Sequence, residues 1–205
     1  MHSLIALSHP NPASLTHAVA TALREAILAA SPGNSVETAD LHAEGFDPRF
    51  SPSDAAHFAG TAPLPASIRA EQARIDRADA LILVYPVYWW TMPALMKGWI
   101  DRVFANGWAY VETAEGKVEK RLQRLSVHLV AIGAADLNTY AKYGYDRAMQ
   151  TQIETGIFGY CGANIGSSTL LPLLDTREPG QLVAAARDLG TRIGTPHAAA
   201  EASAA

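Results

Sequence analysis

A chain of 205 residues has room for one ordinary domain, and with 49% hydrophobic and 18% charged residues it buries a core, which excludes a largely disordered chain. The formal net charge of −4 supplies no basic field for a nucleic-acid backbone or an anionic membrane, so an anionic cofactor must be held by local groups. The single cysteine, Cys161, can form no internal disulfide, which fits a reducing compartment. No signal-peptide pattern stands at the start, and a cytoplasmic location is expected. The longest apolar run, Ala80 to Tyr85, is far short of the ~20 residues that cross a bilayer, so no direct membrane insertion is expected.

In chain order, Ser3 to Ser8 is a short apolar run stopped by His9, Pro10, Asn11 and Pro12, a buried strand entering a loop. Ser14 is the expected N-cap of a helix carrying Leu15, Val19, Leu23, Ala26 and Ala30 at helical spacing, ended by Ser31, Pro32 and Gly33. Val36 to Leu41 reads as a second strand. His42 to Pro65 is rich in Pro, Gly, Ser and Asp without clean periodicity and reads as a surface excursion. Ser67 to Arg77 is a helix with Ile68 and Ile75 inward, and Ala80 to Tyr85 is apolar at every position, as a strand buried on both faces requires. A helix from Pro93 to Phe104 gathers Leu95, Met96, Trp99, Ile100, Val103 and Phe104 on one stripe. Leu125 to Gly133 is a fourth strand, Asp146 to Tyr160 a helix, Ile165 to Leu173 a fifth strand and Gln181 to Ile193 a closing helix. The domain is expected to span residues 1–195, followed by a disordered Ala-rich tail from Pro196 to Ala205.

Five strands alternating with helices imply a parallel sheet with helices on both faces, an α/β three-layer sandwich joined by right-handed crossovers. The position after the first strand holds Ser8 to Ser14 in place of G-x-G-x-x-G, and no G-x-x-x-x-G-K-[ST] occurs. A Rossmann dinucleotide site and a P-loop are therefore disfavoured. The flavodoxin-like order 2-1-3-4-5 remains best supported, with its switch point between strands one and three.

Ligands of such sheets bind beyond the carboxyl ends of the strands, after strands one, three and four. After strand one, the hydroxyls of Ser14 and Thr16, the free N–H groups of the following helix and a hydrogen bond from His9 suffice to hold a phosphate; the alternative is a plain N-cap beside a surface histidine. After strand three, Tyr85-Pro86-Val87-Tyr88-Trp89-Trp90-Thr91-Met92-Pro93 is an aromatic loop stiffened by prolines and shaped to cover a flat ligand; the alternative is packing against neighbouring helices. After strand four, Gly133, Ala134 and Ala135 let backbone amides approach a ligand edge, and Tyr140 can donate to bound substrate. Tyr143 and Tyr145 read equally as a packing patch at a subunit contact. H-E-x-x-H, C-x-x-C and G-x-S-x-G are absent, so no metal site is expected; His128 reads as a core histidine and Cys161 as core packing.

The segment Tyr85 to Pro93 followed by Ala94-Leu95-Met96-Lys97-Gly98-Trp99-Ile100-Asp101-Arg102-Val103-Phe104 resembles the NAD(P)H dehydrogenase (quinone) family of flavodoxin-like flavoproteins. The resemblance extends to Ser8-His9-Pro10-Asn11-Pro12, Trp108-Ala109-Tyr110, the tyrosine cluster and Cys161-Gly162, covering residues 2 to about 175. It implies that His9, Ser14, Leu15 and Thr16 contact the flavin phosphate or ribityl chain. It further implies that Pro86, Val87, Tyr88, Trp89 and Trp90 line the isoalloxazine, with Gly133 and Ala134 at its polar edge. Tyr140 matches a tyrosine near the substrate, and Asp146 stands where the mammalian-type enzymes place a histidine; these two are the catalytic candidates. The sequence departs from the family where Ala131 and Ile132 replace threonines and Ala134 a second glycine, so contacts there rest on the backbone. The implied activity is ping-pong, two-electron transfer from NAD(P)H through FAD, or alternatively FMN, to a quinone or a related small aromatic. The implied assembly is a homodimer, with Trp108 and Tyr110 supplying contact surface. Other roles open to such a chain are an ancillary redox-sensing subunit of a potassium-efflux system and a flavodoxin-type electron carrier.

Overall fold

The computed structural model describes residues 1–113, 115–176 and 178–195, so the tail expected from Pro196 onward lies outside the described residues. In chain order the elements are β1 (His2–Leu7), α1 (Leu15–Ala30), β2 (Ser35–Asp40), α2 (Pro52–Phe58), α3 (Ala66–Arg77), β3 (Ala80–Pro86) and α4 (Ala94–Val103). They continue as β4 (Tyr110–Glu112), β5 (Val118–Lys120), β6 (Ser126–Gly133), α5 (Leu137–Tyr143), α6 (Tyr145–Met149), a π-helix (Gln150–Gly159), β7 (Asn164–Pro172) and α7 (Pro179–Gly194). Five parallel strands form one sheet in the order β2-β1-β3-β6-β7, which is the 2-1-3-4-5 arrangement of the main strands. The fold is flavodoxin-like.

Alternation along the central strands sends successive side chains to opposite faces and fills two cores. Leu4, Leu81, Leu83, Tyr85, Leu129 and Ala131 face α3, α4 and the π-helix, around Trp99 and Phe158. Ile5, Leu7, Ile82, Val84, Val130 and Ile132 face α1 and α7. The carboxyl ends of β1, β3 and β6 thus lie side by side at one edge of the molecule.

Three departures from the sequence reading have local causes. The stretch 42–65 is not wholly irregular: Ser51 Oγ accepts from Asp54 N–H while the Asp54 carboxylate accepts from Ser51 N–H, and this capping box, with Pro52 at the first helical position, starts α2. The tyrosine-rich stretch after β6 is helical, because Asp136 caps α5 and Gly144, at φ 71°, ends it in the left-handed conformation. The helix expected from Asp146 to Tyr160 begins one residue earlier and widens to π winding at Gln150. The wide turn brings the carbonyl five residues back close beneath the chain. A Cβ on Gly156 would lie 3.2 Å from Thr151 O, and one on Gly159 would lie 3.0 Å from Glu154 O. The β4/β5 hairpin is a further element that the sequence reading left unassigned.

Candidate functional site

The first wall of the site is the turn from β1 into α1. Ala13 N–H donates to Asn11 Oδ1 at 2.9 Å and Asn11 N–H to His9 Nδ1 at 3.0 Å, which folds the loop back on itself. Ser14 is the N-cap, as its place in the sequence implies: its Oγ accepts from His17 N–H at 3.3 Å. That oxygen also lies 2.8 Å from His17 Nδ1, and His17 Nε2 lies 2.9 Å from Asp40 Oδ2 at the end of β2. Burial opposes ionisation of Asp40. The hydrogen bonds from His17 and from the amides of Ala43 and His42 outweigh burial and hold the carboxyl below its ordinary range. The backbone N–H groups of Leu15 and Thr16 have no acceptor among the described residues and stand at the positive end of a 16-residue helix. They are donors suited to a phosphate.

The second wall follows β3. Val87 N–H donates to Ile132 O at 2.8 Å, and Tyr88 and Thr91 exchange backbone hydrogen bonds of 3.0 and 3.1 Å around Trp89 and Trp90. Both tryptophans are left-handed, at φ 49° and 61°. A bulky residue held there costs ~1–2 kcal/mol, and two in succession mark a site where shape matters more than local comfort. The sequence reading attributed the loop's stiffness to its prolines. In the structure Pro86 closes β3 and Pro93 precedes α4, and rigidity between them comes from the closed turn and its aromatic anchor. Trp90 stacks on Tyr145 with ring centres 3.6 Å apart and planes within 11°, and meets Tyr140 edge-on at 5.4 Å. The Thr91 hydroxyl donates to Gln152 Oε1 at 2.6 Å, tying the turn to the π-helix. Trp89 is 92% exposed, Tyr88 is also exposed, and neither Trp89 N–H nor Trp90 N–H finds an acceptor among the described residues.

The third wall follows β6. The Tyr140 hydroxyl sits over Gly133 so closely that a Cβ there would lie 2.5 Å from it. Tyr140 is buried, which raises the phenol's pKa and keeps its proton in place at neutral pH. The amides of Ala134 and Ala135 donate to no acceptor among the described residues, and Ala134 is exposed. The structure thus brings Tyr140, Trp90 and Gly133 together. Asp146 is exposed at the start of α6, where Oδ1 accepts from Arg147 N–H at 2.8 Å. It makes no hydrogen bond to Tyr140 among the described residues and lines a separate cavity of about 320 Å³ with Tyr85, Arg147, Glu154 and Ser168. Burial raises the Tyr85 phenol's pKa, and the nearby Glu154 and Tyr140 push it further. Sequence reasoning missed His17, although its place three residues after the cap was a usable signal, and it missed the part that Tyr145 plays in holding Trp90. His128 and Cys161 are buried as expected, His128 between Ser126 and Ser167.

Unpaired donors at three adjacent strand ends, flanked by exposed aromatic faces, fit a flat heterocycle that carries a phosphate. A family model described as flavodoxin-like fold matches residues 1–193. A Haemophilus influenzae protein named "Uncharacterized NAD(P)H oxidoreductase" is 30% identical over 163 residues, 79% of each chain. Rat NAD(P)H dehydrogenase (quinone) 1 is 28% identical over 182 residues, 80% of this chain and 65% of the rat protein. The solved structure of the NAD(P)H:quinone oxidoreductase from Methanothermobacter marburgensis superposes with a TM-score of 0.85 at 25% identity, covering 94% of this chain and 98% of that one.

Proposed function

The chain belongs to the flavodoxin-like fold family, and on that footing we propose that it is a flavin-dependent NAD(P)H:quinone oxidoreductase that works by two-electron, ping-pong transfer. The observation that carries the reading is the meeting of unpaired N–H donors and exposed aromatic rings at the ends of β1, β3 and β6. Relatives named as NAD(P)H and quinone oxidoreductases agree with it.

In this reading Leu15 and Thr16 N–H and the Ser14 cap hold the phosphate at the positive end of α1, with His9 beside them. Pro86, Val87, Tyr88, Trp89 and Trp90 form the wall against the ring and keep water off it. The amides after Gly133, including that of Ala134, meet the ring's polar edge and stabilise negative charge that develops there. Tyr140 donates its retained proton toward the carbonyl of a quinone. Asp146, at the rim of the neighbouring cavity, is the reserve proton carrier. A bound flavin supplies the capacity to accept a hydride from NAD(P)H and pass two electrons on.

FAD is the proposed form, with FMN as the alternative. A groove of about 400 Å³ runs from Pro12 and Ser14 along α1 to Val183 and Arg187 of α7, and it supports FAD by offering room beyond the phosphate. A homodimer is proposed because Phe50, Phe58 and Tyr160 expose apolar surface near the β4/β5 hairpin that carries Tyr110. Light scattering that gives a monomer at micromolar concentration refutes it. Among the described residues no helix is long and apolar enough to cross a membrane, and a cytoplasmic site with reduced Cys161 is proposed.

The experiment is the visible spectrum of the purified protein, followed by heat release of the chromophore and anaerobic addition of NADPH and then menadione. A flavin spectrum that bleaches with NADPH and returns with the quinone is the expected result, and the mass of the released flavin decides FAD against FMN. A colourless protein that fails to bind added flavin overturns the reading.

A further inference from the structure

The hydrogen-bond chain Ser14–His17–Asp40 stands at the proposed phosphate site, and its protons can be counted. A carboxylate only accepts, so the 2.9 Å contact between Asp40 Oδ2 and His17 Nε2 places a proton on Nε2 in either charge state of the ring. The proton that comes and goes is therefore on Nδ1, which lies 2.8 Å from Ser14 Oγ. In the neutral ring Nδ1 accepts, and among the described residues the donor available to it is the Ser14 hydroxyl. That hydroxyl proton is then consumed inside the protein, while Ser14 Oγ accepts from His17 N–H. When Nδ1 is protonated it donates to Ser14 Oγ, and the hydroxyl proton of Ser14 is released to point outward.

We propose that His17 is a positioning residue whose protonation turns the Ser14 hydroxyl into a donor to the cofactor phosphate, so that a phosphate-bearing flavin binds with uptake of one proton at His17. This rests on the flavin reading above. A second feature points to a ligand at the same loop. Ser8, at 3% exposure, and Thr16, at 2%, carry hydroxyls with no protein partner among the described residues. Ser3 Oγ is the sealed orphan among the described side chains, so the oxygens of Ser8 and Thr16 remain open, at the two ends of this loop. No lysine or arginine lies between Ser8 and Thr16, so a cation raised at this loop has to be an imidazole, that of His9 or of His17.

The charged and titratable groups facing His17 come from each neighbouring element. Asp40 closes β2, and His42 follows it with its amide on Asp40 Oδ1. The His9 ring from the β1–α1 loop stands edge-on at 6.3 Å. Glu25 of α1 and Arg187 of α7, paired at 3.3 Å, line the same groove. The Asp40 carboxylate accepts from the ring at Nε2, and Arg187 is already engaged by Glu25. His9 is itself an imidazole on the same loop, so it must be separated from His17 by substitution.

The test titrates apoprotein with FAD, FMN and riboflavin from pH 8 to 5.5, following flavin fluorescence, for the unaltered chain, His17→Gln and His9→Gln. Circular dichroism checks that each variant is folded. Riboflavin has no phosphate, and the second ionisation of FMN, near pH ~6, cancels between the unaltered chain and His17→Gln. The expected result is affinity for FAD or FMN that strengthens about tenfold toward low pH, the worth of one charge-assisted hydrogen bond, with riboflavin flat. The slope vanishes in His17→Gln and persists in His9→Gln. Calorimetry in two buffers of different ionisation heat shows proton uptake with the phosphate-bearing flavin alone. Flavin binding with no pH slope, or a slope that survives His17→Gln or follows His9, overturns the His17 role and leaves the flavin reading standing. Absence of binding to all three flavins at every pH overturns the flavin reading and this proposal together.

Discussion

Adding one methyl group at Gly133 strikes the point where the sheet meets the proposed substrate side chain. A Cβ there would lie 2.5 Å from the Tyr140 hydroxyl, 3.1 Å from its Cζ and 3.2 Å from Leu170 Cδ1. Carbon contacts settle at ~3.5 Å or more, so the hydroxyl must withdraw by about 1 Å. Tyr140 has little freedom to do so, being 2% exposed and set edge-on to Trp90, which is itself stacked on Tyr145. Overpacking of this kind costs ~1–3 kcal/mol, and the number of atoms involved places Gly133→Ala near ~2 kcal/mol. Tyr140→Phe removes the closest atom and leaves the ring carbon at 3.1 Å, so the double variant should recover about half of the loss, a coupling of ~1 kcal/mol. Tyr140→Phe alone should cost under ~1 kcal/mol, because the hydroxyl makes no hydrogen bond among the described residues. Urea unfolding of the apoprotein, read by tryptophan fluorescence, measures all three. If Gly133→Ala costs the same with and without Tyr140→Phe, the overlap is not the cause, and the assigned position of Tyr140 over the strand end is refuted.

Three other perturbations have directions set by the structure. Asp54, at 4% exposure, accepts from Ser51 N–H and Oγ and from Arg102 Nε and Nη2, so Asp54→Ala strands a guanidinium that is 10% exposed and should cost ~3–5 kcal/mol in urea unfolding; adding Arg102→Met should recover part of it. Burial lowers the His128 pKa from 6.5 to about 4. Between these values the unfolded chain binds a proton that the folded one refuses, so stability should fall by up to ~1.4 kcal/mol per pH unit from pH 6.5 down to about 4 and level off below, a slope that His128→Asn should flatten. Trp89 is left-handed and 92% exposed, so Trp89→Gly should raise apoprotein stability by ~1 kcal/mol while weakening flavin binding; loss of stability would show that the exposed ring packs on the protein.

What was legible in the sequence followed the hydrophobic effect. Ala80 to Tyr85 and Leu125 to Gly133 are apolar at nearly every position because both faces of a parallel strand are covered, and such runs fix the sheet within a residue at each end. The strand order followed from the alternation of elements and from what the first turn lacked. Elements held by polar contacts were harder to see. The capping box at Ser51 and Asp54 announces α2 in four letters, but Pro, Gly and Ser around it mask the signal when the eye follows apolar period. Widening of the helix at Gln150 is a matter of which carbonyl each amide reaches, and Gly156 and Gly159 carry it without disturbing the apolar pattern.

The site shows the same division more sharply. Its position could be read, since the strand ends of such a sheet are determined once the strands are, but its shape could not. Type I′ geometry ordinarily calls for Asn-Gly or Gly-Gly, and Trp-Trp argues against such a turn by local rules. The structure holds that turn through Trp90 stacked on Tyr145 and Thr91 bonded to Gln152, partners 55 and 61 positions further along the chain. Likewise His17, on α1, gains its meaning from Asp40, 23 residues away at the end of β2. Local preference is overridden where distant elements converge, and in this chain they converge at the carboxyl ends of β1, β3 and β6. The strain of the tryptophan turn and the unpaired amides beside it therefore belong to one cause: that edge of the sheet is shaped for what binds there, and the remainder of the fold is stable enough to hold it.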